Sequence, residues 1–535
     1  MWVSQLIQTY LIDNPHRVRL TLVPDAMQSE NEKHAEQARL NEIAQQLTPE
    51  ARLEIKANTA ALEERQATPD NLDLLPKVTL EDVPADLKLI PVIAENIHID
   101  GQATPVNLYH AGTNGLFYQQ VLVHLPQQLV HSPYFGLLSM MMGEVGAGQD
   151  DYLSLQDQQT AISGGVGMGL SLRSKLDDHN QISALLTLTT KALNRHPEAM
   201  DLLHKAFTSI RFDEKKRILE LLQQRKASWQ SRLSGSGHSY AMQTASRNMS
   251  ALALRDYYNT GLPALRWLNN LIDSITQNEE RYNQFIAQLI ALKNQILKAP
   301  KEFLLVCTPD QSDDLLLHLQ KVWATAPIIE KTYELDIPEF EKLDQDEAWL
   351  IQTNVHFCAS AYPAVNILHP DAAAFMVLGS YLRNGYLHSA IREKGGAYGG
   401  GAGYDANACA FRFYSYRDPR LTETFNDFTA SIEWLLNTEQ HEYQLEEAIL
   451  GLVGSMDKPG SPAGEAITTC YGNLHGRTHE FRQDLRQRLL QVKINDLQYI
   501  VRNYLLHSKP VRAVVAPFNK AEELQALGFH IQRIE

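Results

Sequence analysis

One short phrase occurs three times in this chain: a β-rich run closed by proline, as NPHRVRLTLVPD (14–25), APKEFLLVCTPD (299–310) and SKPVRAVVAPFN (508–519). Proline ends each run because it has no N–H to give to a strand ladder. The first and third copies follow similar amphipathic segments, LIQTYLIDN and IVRNYLLHS. The closing residues, Pro24, Pro309 and Pro517, stand 285 and 208 residues apart. Solenoid repeats have periods of about 20–50 residues, whereas an interval near 200 is the size of a duplicated domain.

A second echo agrees. LFYQQVLVHL (116–125) reads as a strand, then a helical segment, then the glycine-rich AISGGVGMGLSL (161–172). NVHFCASAY (354–362) reads as a strand, then a helix from about Asp371 to Arg383, then AIREKGGAYGGGAGYD (390–405), with six glycines in nine positions from Gly395. The expected fold class is α+β: two homologous units of mixed sheet flanked by helices, preceded by a helical-hairpin linker and the last helix and strand of an incomplete unit. The expected boundaries are 1–27 for that stub, 28–90 for the linker, 91–320 for the third peptidase-like unit and 321–535 for the fourth; the chain reads as a fragment that begins in mid-domain.

In the linker, EKHAEQARLNEIAQQL forms one helix, and Thr48 with Pro49 opens a second as N-cap and first helical residue. LLPKVTLEDVPADLKLIP, with prolines 76, 84 and 91, runs extended. Beyond it, DEKKRILELLQQRKASWQSRL is helical and leads to SGSGHS, whose composition is that of a flexible link.

Composition narrows the chemistry. The net charge of −15 argues against a nucleic-acid surface, and no apolar run reaches the roughly 18 residues of a membrane span. Met1 to Arg17 carries no basic n-region followed by an apolar core, so no secretory signal is read there. Cys307, Cys358, Cys409 and Cys470 lie far apart, as reduced core thiols of a cytoplasmic-type compartment would. That compartment, or an organelle matrix, is the expected location. Asn248 opens an NMS sequon, which such a compartment makes a chance match.

The glycine stretch is no phosphate loop: no G-K-[ST] follows it, and helix, glycines, strand is the reverse of the nucleotide-binding order. Glycine in a strand marks a place where another backbone comes close, and a glycine-lined edge can accept an extended peptide as an added strand. Beside it Arg392 and Tyr398 would donate hydrogen bonds to a peptide carbonyl, as half of an oxyanion-stabilising site does. The plainer alternative is a turn with a surface arginine and a core tyrosine. His475 and His479, in HGRTHE, have the i, i+4 spacing of two zinc ligands. Thr478 stands where H-x-x-E-H needs its glutamate, Gly476 interrupts the turn, and no third ligand is evident, so the pair reads as a decoy. His196 and His204 with Glu198 are weaker still, and the chain has no H-x-x-E-H, H-E-x-x-H or G-x-S-x-G.

IREKGGAYGGGAGYD, FYSYRDPRLTETFNDF and LHGRTHEFRQDLRQRLL resemble the C-terminal half of presequence proteases, a branch of the pitrilysin/insulin-degrading zinc metallopeptidases. The segment from LTPEARLEIK to EDVPADL resembles that branch's helical linker. The resemblance implies four homologous α+β units paired into two halves around a chamber that admits short unfolded peptides. It implies a zinc site in the first unit, in an N-terminal half that this sequence lacks. Arg392 and Tyr398 match the family's substrate-contacting pair, with Gly395, Gly396, Gly399 and Gly400 lining the substrate backbone; the glycines at 164–169 are expected to have a structural role. The implied function is the substrate-binding half of a zinc metalloendopeptidase, inactive by itself, with the catalytic half and peptides as partners, neither nucleic acid nor membrane, and no metal on this chain. The alternatives are a naturally separate zinc-free subunit paired with a catalytic one, and a stand-alone metalloenzyme using His475 and His479.

Overall fold

A computed structural model describes residues 2–23, 25, 27–68, 74, 76–325 and 333–534. It separates into two compact units, Met1–Val78 and Thr79–Glu535.

The smaller unit begins with a helix, Trp2–Ile7, that widens into a π turn, Gln8–Ile12. The helices Gln28–Gln46 and Pro49–Ala67 follow, joined at the break predicted from Thr48, whose side chain accepts the Ala51 N–H at 3.2 Å. The strand expected in 17–23 is not formed: Val18, Leu20 and Leu22 are 94%, 80% and 88% exposed, and no described residue pairs with them. An extended run becomes a strand only when a neighbour takes up its N–H and C=O groups.

The larger unit holds two six-stranded sheets. The first has β1 (Ile93–Ile99), β2 (Gln102–His110), β3 (Leu116–His124), β4 (Val166–Ser174), β5 (Ile182–Leu193) and β6 (Lys301–Cys307), in the order β1-β2-β6-β3-β5-β4. The second has β7 (Glu347–Ile351), β8 (Phe357–Pro363), β9 (Gly399–Asp405), β10 (Ala410–Tyr416), β11 (Val511–Pro517) and β12 (His530–Arg533), in the order β12-β7-β11-β8-β10-β9. The second and third strand-proline phrases are β6 and β11. Each lies inside its sheet, parallel to one neighbour (β2, β7) and antiparallel to the other (β3, β8). Apolar residues on both faces suit such a strand, because both faces are covered. The duplication read from the sequence is thus repeated in the pairing, and the two glycine-rich runs fall on equivalent edge strands, β4 and β9. Only the opposite edges differ. There β1 joins β2 through an Asp100-Gly101 turn with both φ angles positive, while β12 arrives from the chain end parallel to β7.

Each sheet is covered on one face by helices from the other half of the unit. The core beneath the first sheet continues through Trp229 and Ala241 of the helix Lys215–Ser246 to Trp349, Phe357 and Val515 of the second sheet. In return, Ala463, Ala466 and Cys470 of the helix Pro462–Leu474 pack on Tyr109, Leu122 and Val306 of the first. From Thr79 the extended stretch predicted across 74–91 docks on the C-terminal helices. The Leu80 N–H donates to Glu446 Oε1 at 2.9 Å, the Leu87 N–H to Gln483 Oε1 at 2.9 Å, and Arg486 Nη2 to the Pro84 carbonyl at 2.7 Å.

SGSGHS is not a flexible link. It lies within the helix Lys215–Ser246, which bends at Ser236 (φ −123°, ψ 16°). Gly237 is buried at the bend, where a Cβ would collide with the Phe357 ring of β8. Glycine serves close approach here. Alanine is the better helix former by about 1 kcal/mol, yet Gly237→Ala is expected to destabilise the chain by about 1–3 kcal/mol through overpacking. Urea unfolding checks this; an unchanged or raised midpoint would contradict the contact.

Candidate functional site

The helix Ala372–Leu382 runs on as a wider-wound segment, Arg383–Lys394, and stops in a turn that sequence chemistry explains. The Gly396 N–H donates to the Arg392 carbonyl and the Ala397 N–H to the Ile391 carbonyl, each at 3.1 Å, with Gly396 at φ +75°. This is the glycine-closed helix end in which a buried apolar residue, here Ala397, follows the left-handed position. The next N–H, of Tyr398, donates to the Tyr416 carbonyl at 3.0 Å, and the chain enters β9. Arg392 and Tyr398 therefore stand at the two ends of one hydrogen-bonded turn. Tyr398 is 67% exposed, its ring edge-on to Tyr416 at 5.7 Å. Arg392 is exposed too, and its guanidinium makes no hydrogen bond or ion pair among the described residues. Two strong donors face outward without a partner.

The glycines divide by role. A Cβ at Gly395 would collide with the Arg420 guanidinium, and one at Gly400 would lie 2.8 Å from the Ile391 side chain. Gly396 holds the left-handed turn. These three are explained by the chain's own packing, whereas Gly399 meets nothing within 4 Å. Of the four glycines predicted to line a substrate, Gly399 alone faces open space.

The two equivalent edges also differ. On β4, Ser139 Oγ donates to the Met168 carbonyl, and the Val166 N–H donates to Gln159 Oε1 at 3.3 Å. The edge is closed by its own unit, and Gly164 and Gly165 (φ +100°) shape the bend that enters it. β9 is bonded to β10 only; among the described residues no other element hydrogen-bonds to its 399–404 backbone. In the β9–β10 register Gly399, Gly401 and Gly403 oppose Tyr416, Tyr414 and Arg412, so the larger side chains of β10 stand beside a nearly bare strand.

Sequence reasoning missed His238. Its ring lies 4.9 Å from that of Tyr416 and 5.7 Å from that of Tyr414, carried there by the bent helix. Burial lowers its pKa and favours the neutral ring. The helix pattern leading into SGSGHS is the available signal, but the glycines of that segment read as a break.

HGRTHE does not form one helical face. The first helix ends at Leu474, Gly476 turns at φ +76°, and Thr478 caps the next helix, His479–Leu490. His475 is buried, with Nε2 2.9 Å from Ser171 Oγ and Nδ1 2.8 Å from Ser183 Oγ, so both ring nitrogens are engaged. His196 pairs with Glu198, while His204 packs on Trp323. Among the described residues no three His, Cys, Asp or Glu side chains converge as a metal site. The four cysteines are unpaired and buried, and burial raises their thiol pKa values, to about 11 for Cys307 and Cys409. No helix of the described residues is long and apolar enough to cross a membrane.

Two family models match the chain: the Peptidase M16 (subfamily C) associated domain over residues 22–271 and the PreP C-terminal domain over residues 346–515. The mitochondrial presequence protease of Yarrowia lipolytica is 27% identical over 95% of this chain and 50% of its own length. That of Xenopus laevis is 26% identical over 97% of this chain and 52% of its own. The chain thus spans about half the length of the curated relatives it matches. In fold it resembles a solved structure described as the peptidase M16 inactive domain from Pseudomonas fluorescens, with a TM-score of 0.53 and 14% identity over 79% of this chain and 98% of that one.

The His475 contact predicts a pH dependence. Burial first, then the charges of Arg173 and Arg477, lower the His475 pKa to about 4. An unfolded histidine titrates near 6.5, so the unfolded chain binds the extra proton between those values. The contribution of His475 to stability is therefore complete above about pH 6.5 and is lost as pH falls towards 4. Thermal unfolding across this range should show a smaller loss in His475→Gln than in the parent. Parallel curves would contradict the buried neutral ring.

Proposed function

The chain belongs to the M16 peptidase family, in its presequence-protease branch, and on that premise we propose that it is the substrate-clamping half of a zinc endopeptidase that cuts short unfolded peptides. The observation that carries this reading is the turn from Arg392 to Tyr398. It presents an uncommitted guanidinium and an exposed phenol at the entry to β9, whose outer edge has no described strand beside it.

An extended peptide laid against β9 gains main-chain hydrogen bonds of low sequence selectivity, and the open space at Gly399 admits its backbone. The Tyr398 hydroxyl and the Arg392 guanidinium then donate to the carbonyl of the bond to be cut. Both donors grow stronger as that oxygen gains negative charge, which is the condition for lowering a barrier. The described residues do not assemble a zinc site, so the metal and its base are assigned to an N-terminal half, and that half and the peptide are the proposed partners. The unpaired, buried thiols fit a reducing compartment, cytoplasm or organelle matrix.

A second reading, a separate zinc-free subunit pairing with a catalytic one, is supported by the match to nearly the full length of the Pseudomonas fluorescens inactive-domain structure. It uses the same turn and the same edge.

Hydrolysis of a quenched peptide of about twenty residues tests the assignment. The chain alone is expected to be silent, and adding the N-terminal half of a presequence protease with zinc should give turnover. Tyr398→Phe should then lower kcat by about a hundred- to thousandfold, the usual cost of one oxyanion donor. Turnover by the chain alone that persists in Tyr398→Phe would refute the clamp.

A further inference from the structure

The geometry points to Arg420 as a positioning residue that fixes Arg392 and Tyr398 relative to one another. The inference rests on the reading of that pair as the carbonyl clamp. Tyr416 to Leu421, the phrase YRDPRL, folds as a loop that grips both ends of the 390–398 turn. At one end the carbonyls of Tyr416 and Arg417 receive the Tyr398 N–H at 3.0 and 3.4 Å, with Arg417 in the left-handed region at φ 51°. At the other end Arg420 Nη2 donates to the Ala390 carbonyl at 3.4 Å, two residues before Arg392. The same nitrogen donates to Asp427 Oδ2 at 2.9 Å, tying the turn to the helix Thr422–Asn437.

Gly395 lies directly against this guanidinium and has no room for a Cβ. The loop itself is anchored by Asp418, which is fully buried. Its carboxylate accepts the Arg420 N–H at 2.9 Å and the Thr424 hydroxyl at 2.7 Å, while its backbone exchanges two 2.8 Å bonds with His356. Arg420 is three-quarters buried, and Arg392 and Tyr398 are exposed. The brace is therefore built into the protein, and the donors it holds project into solvent. A clamp on a developing oxyanion needs this division, because donors misplaced by about 1 Å lose much of their effect. Lysine keeps the charge but cannot reach the Ala390 carbonyl and Asp427 in the same planar fork.

Hydrogen exchange of this chain alone tests the brace without any need for catalysis. In Arg420→Lys, amides of the 391–398 segment should exchange about tenfold faster, as after loss of a charge-assisted hydrogen bond, with β11 unchanged. Asp427→Asn, which releases the far side of the same guanidinium, should give the same local pattern and serves if Arg420→Lys does not fold. In the assembled enzyme either variant should lower kcat while KM stays within about twofold, because the loss falls on the transition state. Unchanged exchange in 391–398, or equal acceleration in β11, would overturn the brace. The carbonyl clamp fails separately, if Tyr398→Phe leaves turnover intact.

Discussion

The contact of the bent helix Lys215–Ser246 with the second sheet is the constraint on which the larger unit depends. At Gly237 the helix backbone reaches the Phe357 ring, and the apolar core of the first sheet runs without a break into the second. Just beyond the bend, Arg247 and Glu347 are 1% and 0% exposed and 3.6 Å apart. Tyr257 and Trp349 each donate to Glu347 Oε1 at 2.5 Å, and Arg247 Nη2 donates to the Leu343 and Gln345 carbonyls at 2.8 Å. A buried pair of this kind is poor evidence for added stability, since removing both charges from water is costly. What it gives is geometry: it fixes how the chain enters β7. The same helix brings His238 onto Tyr416, whose other side meets Tyr398, so the third unit buttresses the fourth unit's candidate site.

Two copies of one architecture can carry different functions when a few contacts change. β4 and β9 occupy equivalent edges and both are rich in glycine. Side chains from Ser139, Gln159 and His475 occupy the first, and the second is left to itself. An unpaired edge invites association with any extended chain, and proteins ordinarily cover it or keep it short. β9 is seven residues long, which limits the liability and leaves enough ladder for a bound peptide.

Much of the fold is legible in the sequence because it rests on local chemistry. Prolines closing apolar runs locate β6 and β11, Thr48 before Pro49 locates a helix start, and the repeated strand–helix–glycine order locates the two edges. The site is legible in its donors, Arg392 and Tyr398, because their chemistry is independent of packing. Other parts are set by distant contacts that local composition cannot report. SGSGHS is helix because Phe357 needs a neighbour without a Cβ, and 17–23 stays unpaired because no described strand stands beside it. Gly395, Gly396 and Gly400 read in sequence as a lining for substrate; Arg420, the turn itself and Ile391 account for them. His475 fails as a ligand on the identity of Thr478 and Gly476 alone, although the serines that occupy its nitrogens lie some 300 residues away in sequence.

The central claim is that a peptide docks along β9 beside Tyr398. The most direct measurement is photo-crosslinking of an extended peptide carrying a benzophenone, bound to this chain alone and mapped by mass spectrometry. The account predicts labels confined to the 392–405 segment and its β10 neighbours, displaced by unlabelled peptide. Displaceable labels on β4, or on the helices that cover it, with none on β9, would contradict it.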